Sequence, residues 1–362
     1  MFTHLLSATK MDEYENDSYF SPNESQYYGE YYDYPNITLE SESYVAHNAV
    51  KIISVIIYSL TFLLGVPGNA LVLWIAGLKM RRTVNVVWFI NLAIADFLCC
   101  LSVPFSISDT LLESRWPYGT IMCKIIPPFV VLSMFASVFT LALISLDRLV
   151  LVVRPVWAQN HRSLVLAGVL CGLAWVLAIL LSLPSMILRT TVTFPYTNVT
   201  FCTYDIQDGE NISQSLVAVT QRIRFLFGFL FPLFIIITCY TLITLKVRSS
   251  SFRAGRAFKI IVAVIVSFFV CWLPYHALGI AREDGQDEEM VILLDHLSIA
   301  LAYVNSCLNP LLYVFIGQDF KEKVRLSLRR ILANAFSEDG THSSMRSKAT
   351  QSHNTASSVA QL

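Results

Sequence analysis

Oxygen-bearing side chains recur where the surrounding sequence is oil. Asn69 lies in VPGNALVLW, Asp96 in NLAIADFL, Ser137 in MFASVF, and Asn305, Ser306 and Asn309 in YVNSCLNPLLY. An Asp at the centre of a membrane helix costs about 2.5–3.5 kcal/mol on insertion scales, so it needs a reason to be there. Two readings follow. One is a hydrogen-bonded packing cluster. The other is a sodium site, in which hard oxygen ligands from Asp96, Ser137, Asn305, Ser306 and Asn309 surround the one carboxylate. A second place is SLDRLVLVVRPVWAQNHRS, where Asp147 and Arg148 close an apolar run just before a basic segment. A charged pair there is either a membrane-surface anchor or a latch. Catalysis finds no footing: there is no H-E-x-x-H, no phosphate loop and no metal-ligand spacing of Cys and His, so no enzyme is expected.

The elements that must position these groups follow from composition. The chain has 362 residues, of which 55% are apolar and only 14% charged, which excludes a water-soluble domain of this size. A helix needs about 20 mostly apolar residues to cross the hydrocarbon. Stretches at 50–78, 84–109, 121–153, 164–187, 216–247, 258–281 and 291–315 qualify. Open sheets are excluded there because unpaired peptide groups in lipid cost several kcal/mol each. The expected fold class is therefore an all-α membrane protein, a seven-transmembrane helix bundle over residues 49–316. No internal repeat or matched pair of interrupted helices suggests a transporter.

Basic residues set the orientation. Lys79, Arg81 and Arg82 follow the first span, Arg154, His161 and Arg162 the third, Lys246, Arg248, Arg253, Arg256 and Lys259 the fifth, and Lys321, Lys323, Arg325, Arg329 and Arg330 the seventh. By the positive-inside rule these clusters are cytoplasmic, which puts the N-terminus outside and the C-terminus inside. The Asn-x-Ser/Thr sequons at Asn16, Asn23, Asn36, Asn198 and Asn211 all fall on the outer side and are candidate N-glycosylation sites. Met1 to Lys10 lacks the apolar core of a cleavable signal, so the first span is expected to direct insertion.

The outer segment 1–48 is acidic and rich in Tyr, and it reads as disordered. It is either a solvated linker or a bait for a cationic partner, the latter strengthened by sulfation at Tyr14, Tyr27, Tyr28, Tyr31, Tyr32 and Tyr34. Glu283, Asp284, Asp287, Glu288 and Glu289 in the third outer loop add to that field. Residues 317–334 place Phe320, Val324, Leu328 and Ile331 on one face, the pattern of an amphipathic helix on the anionic inner leaflet. Residues 335–362 form a Ser/Thr-rich cytoplasmic tail, either plain solvation or a phosphorylation target. Of the cysteines only Cys123 and Cys202 face the oxidising side, and one disulfide between them is expected to pin the second outer loop. Pro232, Pro274 and Pro310 each break a helix, as hinges or as static kinks.

Taken in order, GNALVLW, NLAIADFL, Cys123, SLDR, Trp175, Pro232, CWLPY and NPLLY resemble the motif set of the rhodopsin-like (class A) G-protein-coupled receptors, over about residues 50–332. The resemblance implies that Asp147 holds Arg148 in the resting state and that Arg148 moves toward Tyr240 and Tyr313 on activation. It makes Trp272, Phe268, Pro232, Asn309 and Pro310 the transmission residues, though aromatic core packing accounts for the rings equally. Sodium becomes an allosteric ion at Asp96, and no other cofactor is implied. Leu149 departs from the commonest tripeptide, and no Cys after Cys307 supplies the frequent palmitoyl anchor.

MRRTVNVVWFINLAIADFL, RPVWAQNHRS, FVCWLPYH and NSCLNPLLYVFIGQDF are similar to the chemoattractant branch of that family. Within the branch, WPYGTIMCKIIP, ISLDR and LDHLSIALA are most like receptors for complement anaphylatoxins, that of the third component favoured. The implied ligand is a basic anaphylatoxin peptide ending in a free Arg. Asp295 would take its guanidinium, Arg224 and Arg189 its carboxylate, and Tyr275 would line the pocket; Asp295 as an end cap and Arg189 as a snorkelling charge are the plainer readings. The implied partners are an inhibitory-class heterotrimeric G protein, arrestin after tail phosphorylation, and the plasma-membrane bilayer, with leukocyte chemotaxis as the outcome and no nucleic acid involved. The fifth-component fragment, chemerin, formyl peptides and a non-signalling scavenger remain alternatives. One departure is the second outer loop, about residues 188–215, short where third-component receptors are typified by a very long one.

Overall fold

The computed structural model describes residues 37–204, 210–248, 256–283 and 288–316, together with Glu322, Arg325 and Leu326. The chain divides into two units, Met1–Leu311 and Leu312–Leu362. In the second, Leu312–Ile316 and the three isolated residues are helical. The sequons at Asn16, Asn23 and Asn36, the candidate sulfotyrosines, most of the amphipathic segment 317–334 and the Ser/Thr tail lie outside the described residues.

The first unit is built of long helices. We label them α1 (Ile37–Trp74), α2 (Val84–Leu111), α3 (Gly119–Val153), α4 (Leu164–Ile187), α5 (Glu210–Phe225, a π turn Leu226–Leu230, then Phe231–Arg248), α6 (Arg256–Glu283) and α7 (Glu288–Ile316). Among the described residues six are long and apolar enough to cross a membrane: Val45–Lys79, Val84–Leu111, Gly119–Val153, Leu164–Ile187, Ser215–Lys246 and Phe258–Ala281. The seventh, α7, is of spanning length but carries Asp295, His296, Asn305, Ser306 and Asn309. Helix α1 begins at Ile37, inside the segment expected to be a tail.

Local chemistry sets several boundaries. The Thr83 hydroxyl accepts from Val86 N–H at 3.3 Å and that of Ser163 from Leu166 N–H at 3.1 Å, satisfying orphan donors at the starts of α2 and α4. Pro155 opens a short helix, Pro155–His161, in the second inner loop, where its missing donor costs nothing. In α5 the π turn ends just before Pro232, so the helix widens where that proline removes a donor and crowds the preceding turn.

Packing is that of a bundle in lipid rather than in water. Large apolar side chains such as Leu63, Val165, Leu173, Phe234 and Val270 point outward and are exposed. Small residues let the helices approach: a Cβ on Gly65 of α1 would run into the Cys100 thiol of α2, and one on Gly228 of α5 would meet Met134 and Phe135 of α3. Trp175 of α4 donates its indole N–H to Asn91 of α2 at 3.1 Å.

The second outer loop, read from sequence only as a loop, is an antiparallel hairpin: β1 (Arg189–Phe194) pairs with β2 (Val199–Tyr204) in the register Thr191 to Cys202. The Cys123–Cys202 disulfide fastens β2 to the outer end of α3. Arg115 bridges to Phe201, and Trp116 N–H donates to the Thr200 carbonyl at 2.7 Å, so the α2–α3 connection is stitched to the same strand. Asn198 lies exposed at the hairpin turn, with φ 55.

Candidate functional site

The hairpin roofs a cavity of about 160 Å³ at the outer end of the bundle. Its walls include Asp109 of α2, Arg189 of β1, Arg224 of α5, Tyr275 of α6 and Asp295 of α7, so the four residues expected to form a binding site do converge.

Arg224 dominates the chemistry. It is 4% exposed, and its guanidinium donates to Gln221 at 2.9 Å, to the Tyr275 hydroxyl at 3.1 Å, to the Tyr204 hydroxyl at 3.4 Å and to the Ser185 hydroxyl. None of these acceptors is a carboxylate, and Nε has no partner. The Arg189 guanidinium stacks over the Tyr204 ring at 4.7 Å from its centroid. Among the described residues neither arginine forms an ion pair. Two guanidiniums facing one small cavity without a carboxylate bound to either make a seat for an anion. Tyr204 registers that field. Burial alone would push its phenol up, but the charges of Arg224 and Arg189 outweigh this and bring it down to about 7.

Aromatic rings fill the layer beneath. Trp272 meets Tyr275 edge-on at 5.6 Å and Phe268 at 6.0 Å, while Phe229, next to the π turn's end, packs on Phe269 and His276 at 5.1 Å each. Tyr275 therefore touches both the Arg224 guanidinium and the Trp272 ring. Trp272 and Phe268 are fully buried.

Below them lies the polar cluster. Asn309 donates to Asp96 Oδ2 at 2.7 Å, and Asn69 donates to the carbonyls of Gly65 at 3.0 Å and Ser306 at 2.9 Å. Asp96 Oδ1, Ser137 Oγ, Asn305 Oδ1 and Asn309 Oδ1 are all buried without a partner. Oxygens of this kind beside one carboxylate are the donor type that a hard cation takes.

The inner edge differs from the expected two-residue latch. Arg148 lies 3.4 Å from Asp147, but Asp147 is gripped by Arg162, with Nε at 2.7 Å from Oδ1 and Nη2 at 3.1 Å from Oδ2. Asn85 of α2 accepts from Arg162 at 2.6 Å and from Arg148. The bidentate fork is the stronger geometry, so Arg162 competes for the carboxylate that Arg148 would otherwise hold. The Tyr240 hydroxyl is buried and unbonded, so the structure does not join it to Arg148. The side chain of Tyr313 lies outside the described residues.

Sequence reasoning missed Asn85, Asp109, Ser185 and Tyr204, and used Arg162 only to orient the chain. A polar residue near a helix end gives no periodic signal, and its role depends on which neighbour the fold delivers.

With the geometry in place, comparison with known proteins agrees. The 7 transmembrane receptor (rhodopsin family) pattern matches residues 68–313, and the chain belongs to that family. It is similar to the C3a anaphylatoxin chemotactic receptors of Oncorhynchus mykiss, 55% identical over 93% of this chain and 94% of that protein, and of Danio rerio, 56% identical over 85% and 84%. The C5a anaphylatoxin chemotactic receptor 1 of Oryctolagus cuniculus is 40% identical over 85% of this chain and 91% of that one. The match covers 94% of the Oncorhynchus mykiss protein, so that relative carries no long insertion against this chain.

Ionised Tyr204 stabilises the fold as pH rises through its lowered value toward the usual tyrosine range, and that contribution is lost as pH falls through about 7. Phenolate difference absorbance on purified protein should show a tyrosine ionising near neutrality that Tyr204→Phe abolishes. Titration of all tyrosines in the ordinary range would contradict the clamp.

Proposed function

We propose that this chain is a cell-surface chemoattractant receptor that takes the Arg-terminated end of a complement anaphylatoxin, of the C3a class, into the outer cavity and activates an inhibitory-class heterotrimeric G protein. The observation that carries the reading is a single cavity lined by the Asp295 acid and the Arg189 and Arg224 bases, in a chain 55% and 56% identical to receptors named for C3a.

A C-terminal Arg is a guanidinium and a carboxylate on one residue. Asp295 answers the first and the two guanidiniums the second, replacing hydroxyl and amide acceptors with a carboxylate. The cavity has room for one such residue and not for a folded domain, so the remainder of the ligand lies over the hairpin and the acidic outer segments. Charge complementarity there speeds encounter with a basic protein.

Ligand binding shifts an equilibrium only through differential affinity for the active state. A carboxylate drawing Arg224 away from the Tyr275 hydroxyl alters the ring that abuts Trp272. Movement there is accommodated by the widened turn before Pro232. Asp96, Ser137, Asn305, Ser306 and Asn309 would hold sodium, which supplies positive charge to the buried carboxylate and favours the resting bundle. At the inner edge, freeing Arg148 opens the surface for the G protein, with arrestin following phosphorylation of the tail. The N-terminus lies outside and the C-terminus inside the plasma membrane.

Inhibition of cyclic AMP in cells expressing the chain tests this. Intact third-component fragment should signal, whereas removal of its terminal Arg, or Asp295→Asn, should raise the required concentration roughly 30-fold or more, the cost of leaving a buried charge unpaired. A response to the fifth-component fragment alone would reassign the ligand, and binding without a cyclic AMP change would make the chain a scavenger. Arg162→Ala leaves Asp147 without its bidentate partner and should alter ligand-independent cyclic AMP at equal surface expression. Unchanged basal signalling would show that Arg162 is only a topological charge.

A further inference from the structure

Two acids close the turn between α2 and α3, and the structure treats them differently. Glu113 is exposed and pairs with Lys51 at 3.3 Å. Asp109 lines the outer cavity, and its Oδ1 is buried and accepts no hydrogen bond. Leaving a carboxylate oxygen in that condition costs free energy unless a donor arrives.

The backbone that carries Asp109 is fixed before any ligand comes. Its carbonyl accepts from Ser114 N–H at 2.7 Å, closing a turn in which Glu113 and Ser114 take positive φ of 53 and 66. The same turn is stitched to β2 through Arg115 and Trp116, and Tyr118 ties back to Ser108 at 2.7 Å. An acid held this firmly spends little conformational entropy on binding.

We propose that Asp109 is a specificity-determining residue of the outer site, forming with Asp295 a two-carboxylate seat that selects a terminal guanidinium over a terminal ammonium. The inference rests on the receptor reading above. The cavity holds two acids, Asp109 and Asp295, and two bases, Arg189 and Arg224, and a C-terminal Arg brings one cation and one anion. One base–acid imbalance is thus never created on binding. A guanidinium spreads five N–H donors over three nitrogens in a plane and can meet carboxylates on two walls with separate edges, whereas an ammonium is a compact point charge whose three donors fan from one atom and reach less far. A single acid would therefore discriminate little between Arg and Lys, and a second acid on another wall supplies the discrimination.

The test uses the full chain in cells, with surface level measured by an N-terminal tag, and a synthetic C-terminal anaphylatoxin peptide ending in Arg or in Lys. Wild type should prefer Arg by about tenfold or more, the worth of one charged hydrogen bond. Asp109→Asn should bring that ratio near unity by weakening the Arg peptide alone, and Asp109→Glu should restore part of it. If Asp109→Asn weakens both peptides equally, Asp109 does not discriminate between them and the inference is overturned. An unchanged ratio with unchanged potency overturns it too, while leaving the receptor reading intact. Silence of wild type toward both peptides overturns the receptor reading and this inference together.

Discussion

A guanidinium does not shed its proton, so Arg224, placed inside an apolar helix, must find oxygen within the bundle. That constraint organises the outer half of the structure. Its donors reach Ser185 on α4, Tyr275 on α6, Tyr204 on the hairpin and Gln221 on its own helix, joining four elements through one side chain. The disulfide and the α2–α3 turn hold the hairpin where Tyr204 can take part. None of these acceptors is a carboxylate, and the cavity beside them is where we propose that one binds. Lipid supplies no water to satisfy what the protein leaves open, so a buried polar group there depends on partners within the bundle.

The same logic links the layers. Tyr275 is shared between Arg224 and Trp272, the rings of Phe268 and Phe229 continue inward, and the orphaned oxygens around Asp96 lie beyond them. At the inner edge, Asp147 has two arginines competing for it, with Asn85 accepting from both. At that edge an alternative pairing lies within reach, which is the physical requirement for a two-state element.

Much of this was legible in the sequence. The spans and the Cys123–Cys202 pairing follow from hydropathy and from which cysteines fall at the ends of the spans, because lipid leaves a chain few choices. Asp295, Arg224, Arg189 and Tyr275 were reached through resemblance, and the fold does gather them. What sequence could not show is contact. The second outer loop reads as irregular because its hairpin is dictated by a disulfide and a neighbouring turn rather than by periodicity. Asp109 sits in an ordinary apolar stretch, and nothing in its neighbours says that the turn after it delivers it to the cavity. Arg162 carries a strong topological signal that hides its second role. The π turn is visible only as a compensation for Pro232, which sequence marks as a kink.

The central claim is that Arg224 seats the carboxylate of the ligand's last residue, and a double-mutant cycle tests it most directly. Potency of a C-terminal anaphylatoxin peptide as free acid and as amide would be measured on wild type and on Arg224→Gln. Amidation should weaken the peptide strongly on wild type and have almost no further effect on Arg224→Gln, because one interaction is removed from either side. Losses that simply add would contradict the account, placing the carboxylate elsewhere and leaving Arg224 as a structural tie.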